Sequence, residues 1–321
     1  MDSRFRQGYI IYGEEKSGVV IVTPHSGPAM ENPTSRDDNS ETVAGLCWKK
    51  TGGKLIISTM PRRRLWGIDF NRDIPPIEIA LSSYKIFEQD TNQDYISHYM
   101  KKYAWVSKDD QDYENRLRIY QSFWSEVGKG EKIILVHRAF NRVRSLPSII
   151  DFVTFKSRGI REKEINKIVK ELNKKYRFFL RSIERPYKKE VMDETEKRVL
   201  GMIRKYGSFD VGRFSNTTKE LIKKDIVKTQ KYARPYITKR LNERFTAENY
   251  LRAVGDTLRN SPKPEITIEN VADGSLALGP NRKLFPTAGK VIMEVEPTHF
   301  MNRWYPNITA EIICEVIKKV S

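Results

Sequence analysis

A chain of 321 residues with a net charge of +17 and 39% hydrophobic residues can bury a large core. No apolar run approaches the ~20 residues of a membrane-spanning helix, and a mean hydropathy of -0.60 suits a soluble protein. The two cysteines, Cys47 and Cys314, form no CxxC arrangement, which argues against a disulfide framework and against a cysteine metal site.

From the N-terminus, residues 1–18 are polar and mixed in charge, with no apolar leader core, so a cytoplasmic location and no membrane partner are expected. Strand-like runs follow at 9–12, 19–23, 54–59 and 132–137. Between them, Asp38-Asn39-Ser40 offers capping chemistry before a helix over 41–50 that stops at Gly52-Gly53. Pro75-Pro76 marks a turn, and 77–103 and 109–128 read as helical. Such alternation predicts an α/β fold: a mixed, mostly parallel open sheet with helices on both faces.

From about 160 to 260 the apolar period becomes helical. Ile165, Ile168, Val169 and Leu172 form one stripe, and Leu221, Ile222, Ile226 and Val227 another. Strands return at 265–269, 275–279 and 290–296, before a helix over 308–320. The expected organisation is one α/β domain, 1–155 with 262–321, carrying a basic helical insertion at 156–261. Residues 155–260 hold 29 lysines and arginines against 14 aspartates and glutamates, so this third of the chain owns most of the excess charge. A solvated helical face explains such a balance; a platform for nucleic acid or another polyanion is the alternative. Basic and aromatic residues interleave there at Tyr176-Arg177-Phe178-Phe179 and Lys231-Tyr232-Ala233-Arg234. Abundant Lys, Arg, Glu and Ile with scarce Gln, His and Cys also resembles the composition of thermophile proteins.

Chemistry concentrates at strand ends, where loops present functional groups. The run Val19-Val20-Ile21-Val22 ends in Thr23-Pro24-His25-Ser26-Gly27, and Ile133-Ile134-Leu135-Val136 ends in His137. Two imidazoles with one carboxylate make a zinc site with one open position, and Glu31 or Glu41 is the candidate third ligand. Glu31 is preferred, with Glu41 as the alternative. Glu294, in the alternating Lys290-Val291-Ile292-Met293-Glu294-Val295-Glu296, is a candidate general base. One of Arg62-Arg63-Arg64 can stabilise an oxyanion, and Asn71-Arg72, closing Gly67-Ile68-Asp69-Phe70-Asn71-Arg72, offers an amide and a guanidinium fork for a substrate carboxylate.

That hexapeptide resembles the Gly-x-Asp-x-Asn-Arg signature of zinc metallocarboxypeptidases. Together with Pro24-His25-Ser26-Gly27 and Arg64 it is closer to N-formylglutamate amidohydrolases, which share the fold. The resemblance spans about 1–150 and 265–321 and omits the helical segment. It implies His25 and His137 as zinc ligands, Asn71 and Arg72 on the substrate's carboxylate, Arg64 on the carbonyl and Glu294 as base. In the carboxypeptidases the ligating Glu stands three residues after the first His; here that position is Pro28. The implied activity is zinc-dependent hydrolysis of an N-acyl amino acid or of a C-terminal peptide amide bond. The alternative is a member without catalysis that binds nucleic acid through its basic insertion.

Overall fold

The computed structural model describes residues 3–14, 17–30, 36–89, 98–99, 101–157, 160–214, 216–272 and 290–320. The expected strand at 275–279 lies outside them. The chain divides into two compact units. One comprises 1–139, 150–171 and 268–321, the other 140–149 and 172–267. The helical unit thus begins at 172 rather than 156 and recruits ten residues that follow the fifth strand. No described helix is long and apolar enough to cross a membrane.

The fold is α/β. Eight strands form one mixed sheet in the order β1-β2-β4-β3-β5-β8-β6-β7. They are β1 Ser3–Arg6, β2 Tyr9–Tyr12, β3 Val19–Thr23, β4 Lys54–Ser58, β5 Lys132–Val136, β6 Ser148–Val153, β7 Glu265–Ile268 and β8 Val291–Pro297. The middle of the sheet, β4-β3-β5-β8, is parallel, while β1, β2 and β6 pair antiparallel. β3 is buried at all five positions, as an apolar run covered on both faces must be. From β3 the chain moves outward to β4 on one side, then returns to place β5 on the other. This reversal opens a crevice at the C-terminal ends of β3 and β5, where open α/β sheets bind ligands.

Helix α1, Ser40–Thr51, joins β3 to β4, and α2, Ile77–Gln89, and α3, Asp110–Val127, precede β5. α3 begins at Asp109, whose carboxylate accepts from the Asp112 amide. Its buried face carries Tyr113, Tyr120, Phe123, Trp124 and Val127, a helical spacing, and Phe123 stacks on Phe70 with centroids 4.0 Å apart.

That face also holds the loop of the Gly-x-Asp-x-Asn-Arg hexapeptide. Arg116 donates to the carbonyls of Arg64, Leu65 and Gly67, the Trp124 indole to Phe70 and the Tyr120 hydroxyl to Arg72. Five carbonyls of an irregular segment are thereby satisfied from one helix, so the loop can be buried without orphaned backbone. Gly67 is needed because a Cβ there would lie 2.0 Å from the Pro61 carbonyl oxygen. Gly27 is needed likewise, since its Cβ would lie 1.9 Å from that of Met60.

Helix α4, Glu162–Lys175, carries the chain from the first unit to the second. The second unit holds α5 Arg177–Ser182, α6 Glu184–Tyr206, α7 Asn216–Tyr232, α8 Pro235–Glu243 and α9 Ala247–Asn260, and α9 packs on α6, α7 and α8. Its interior is pinned by Asp225, fully buried, which takes Arg144 at 3.2 Å, Arg198 at 3.0 Å and the Tyr250 hydroxyl at 2.8 Å. In the first unit, α10 His299–Trp304 and α11 Pro306–Lys319 close the chain, with α11 packed on α1.

Candidate metal centre

His25 stands two residues beyond β3 and His137 immediately beyond β5, so two adjacent parallel strands deliver both rings to the crevice. Their centroids are 4.8 Å apart, and both are buried. Between them lies a third side chain, Asp37. Its Oδ2 is 3.2 Å from His25 Nδ1 and 3.0 Å from His137 Nδ1. His25, Asp37 and His137 are all buried and form a group that can hold a metal ion.

Among the described residues Asp37, rather than Glu41, stands as the third side chain of this group. The Glu41 carboxylate pairs with Arg36, and Glu31 lies outside the described residues. The backbone explains the choice. The Asp37 amide donates to the His25 carbonyl at 3.0 Å, and the Ser40 amide to the Asp37 carbonyl at 3.1 Å, which ties the approach to α1 directly against the histidine loop. Arg138 adds a hydrogen bond to the Arg36 carbonyl.

The geometry suits a small divalent ion. Ligands at ~2.0–2.1 Å in a tetrahedron lie roughly 3.3 Å from one another, close to the two observed separations. The outer ring nitrogens are already engaged, as they are when the inner ones ligate. His25 Nε2 donates to Asp69 Oδ1 at 2.9 Å, and His137 Nε2 lies 2.9 Å from the Asn71 side-chain amide. Asn71 Oδ1 is buried with no partner among the described residues, and turning the amide about its axis lets that oxygen accept from His137 Nε2–H. Asn302, from α10, fixes the His137 carbonyl at 3.2 Å.

Asp69, fully buried, is the centre of a second layer. It accepts from His25, from Arg62 Nε at 3.2 Å, from Arg64 Nη2 at 3.0 Å and from the Asn71 amide at 3.1 Å. Burial alone would raise its pKa, yet Arg72, His25, Arg62 and Arg64 hold it well below the usual carboxylate range. Asp37 behaves alike, with its hydrogen bonds to His137 and His25 outweighing burial. Burial would lower the His137 pKa, but Glu294, Asp37 and Glu296 carry it up to about 9.

The other expected residues are placed as follows. Arg64, 4% exposed, donates through Nε to the Tyr103 carbonyl at 2.7 Å besides its bond to Asp69; burial, with repulsion from Arg72 and Arg62, brings its pKa down to about 10. It braces Asp69. Arg62 keeps 29% of its side chain exposed and reaches Asp37 Oδ1 at 3.7 Å, so of these two arginines it is the one facing outward at the metal ligands. Asn71 serves His137, and Arg72 Nη1 donates to the Asn71 carbonyl at 2.8 Å.

Glu294 is buried on β8, with Oε2 3.8 Å from His137 Nε2 and no hydrogen-bond partner for that oxygen among the described residues. Glu296, two residues on and so on the same face of the strand, has its pKa pushed well above normal. Burial is the main cause; His137 opposes it, and the charges of Glu294 and Asp37 add to it. Burial and the neighbouring Glu294 charge therefore favour the protonated form of Glu296. No protein-family model, curated protein or solved structure matches the chain, and the functional reading stands on this geometry.

Proposed function

We propose that this chain is a zinc-dependent amide hydrolase acting on a small substrate with a free carboxylate, either an N-acyl amino acid of the N-formylglutamate kind or the C-terminal residue of a peptide. The observation that carries the reading is the convergence of His25 Nδ1, His137 Nδ1 and Asp37 Oδ2 in the crevice between β3 and β5. Two imidazoles and one carboxylate form a donor set that suits zinc and leaves a position open. An ion held there would supply Lewis-acid polarisation of the scissile carbonyl and acidify a neighbouring water.

The chain's own groups do the rest. Glu294, whose Oε2 has no partner among the described residues, takes a proton; Glu296, whose pKa is pushed up by burial, returns one to the leaving nitrogen. Arg62 faces the developing oxyanion, a role the family resemblance implies for Arg64, which is more deeply buried. Arg72 remains the group for the substrate carboxylate, while Asn71 orients His137.

The test is turnover by zinc-loaded protein on formyl- and acetyl-amino acids and on short peptides with free C-termini. Glu294→Gln and Glu296→Gln should each cut kcat by about 100- to 10,000-fold while zinc content stays at one per chain. Zinc-loaded wild type inert on the whole panel would overturn the proposal, as would two glutamine variants of undiminished activity.

A further inference from the structure

The second unit carries 26 lysines and arginines against 12 aspartates and glutamates, so its net charge of +14 accounts for most of the chain's +17. Charge of this size needs no ligand by itself. A cavity of about 450 Å³ in the same unit gives it one. α6, α8 and α9 build its walls: the floor is apolar, from Met192, Ile237 and Leu251, and three arginines, Arg240, Arg252 and Arg259, line it with no acidic residue among the lining side chains. Tyr236, 58% exposed, stands at the same cavity beneath the Arg234 guanidinium, 5.6 Å from the ring centroid.

Gly255 supplies an independent observation. It sits in the middle of α9, where glycine costs about 1 kcal/mol relative to alanine. Close packing does not require it, because an added Cβ would meet only Arg259 Nη1, at 3.8 Å. The glycine leaves the cavity wall as bare backbone at that point.

We infer that this cavity binds single-stranded nucleic acid, with a base between Tyr236 and the apolar floor and the flanking phosphates on Arg240, Arg252 and Arg259. Base stacking on an aromatic ring beside a positive track is how single strands are held without sequence preference. Arg252 is paired with Glu248 at 2.7 Å and Arg259 with the buried Asp256 at 3.5 Å, but both arginine side chains are more than half exposed. The exposed pair with Glu248 contributes little, and a phosphate can displace it. The strongly positive unit around the cavity extends the track for neighbouring phosphates.

The experiment is fluorescence anisotropy of the full-length protein with a labelled 12-mer of deoxythymidine. Affinity should fall with salt with a log–log slope of about -2, as three phosphate contacts on a single strand imply. Gly255→Leu fills the cavity without changing charge and should weaken binding tenfold or more; Tyr236→Ala, at an exposed position, should do the same, so a folding defect in one variant leaves the other to decide. Circular dichroism checks the fold of each. An abasic 12-mer that binds as tightly, or binding unmoved by both variants, would overturn the assignment in favour of bare charge attraction. A mononucleotide competing at equal affinity would overturn it in favour of a small-molecule site.

Discussion

Replacing Asp37 by alanine removes the one proposed ligand that comes from a loop rather than from a strand end. Zinc held by a full ligand set is stabilised by roughly 10–16 kcal/mol, so one of four positions carries about 3–4 kcal/mol. At about 1.4 kcal/mol per decade, Asp37→Ala should weaken zinc binding by on the order of 300-fold. Asp69→Asn keeps every ligand but takes the charged acceptor from His25 Nε2, and should cost about 10- to 100-fold. Glu41→Ala, whose carboxylate pairs with Arg36 through Oε1 and is no part of the His25–Asp37–His137 group, should leave affinity within a factor of about three. Competition against a chromophoric chelator at fixed pH and salt reads all three. If Asp37→Ala binds zinc as tightly as wild type while Glu41→Ala or Glu31→Ala fails, the assignment of the third ligand is wrong.

Two further outcomes concern stability. In metal-stripped protein the His137 pKa of about 9 lies above its unfolded value near 6.5. Its contribution, about 3 kcal/mol, is therefore complete below pH 6.5 and is lost as pH rises through 9, so the urea midpoint should fall between pH 6.5 and 9.5. A midpoint that holds or rises in that window, or a fall equally large in His137→Asn, refutes this linkage. In the second unit, Asp225→Ala strands the guanidiniums of Arg144 and Arg198 with their buried acceptor gone and should cost about 3–5 kcal/mol in a denaturant titration. A loss under about 1 kcal/mol would show that the cluster is not the anchor of that unit.

Much of the first unit was legible because its strands are plain apolar runs that end in polar loops. β3 and β5 fall where the runs at 19–23 and 132–137 place them, and the histidines that close them meet. β6 was missed: its six positions are all buried, so Ser148–Val153 shows no alternation to read. β1 was missed for the opposite reason, with four exposed positions and no apolar face. Asp37 could not be told from the acids around it, since Asp38 and Glu41 share the same stretch and the bond from the Asp37 amide to the His25 carbonyl is a feature of the folded backbone alone. Asp69 lay inside the hexapeptide, but a carboxylate that braces an imidazole and two guanidiniums looks in sequence like any loop acid. Arg62 and Arg64 both pair with Asp69 but differ in burial, and residue type alone carries no burial.

The two rings hang from neighbouring strands of one hydrogen-bonded ladder, and their centroids are 4.8 Å apart, the ~4.8 Å pitch between strands. The sheet thus acts as a ruler that sets the spacing of two of the three side chains of the candidate centre. Retuning the centre toward a larger or harder cation would have to work through Asp37, the one proposed ligand that no strand delivers. That position is the natural place to start redesign.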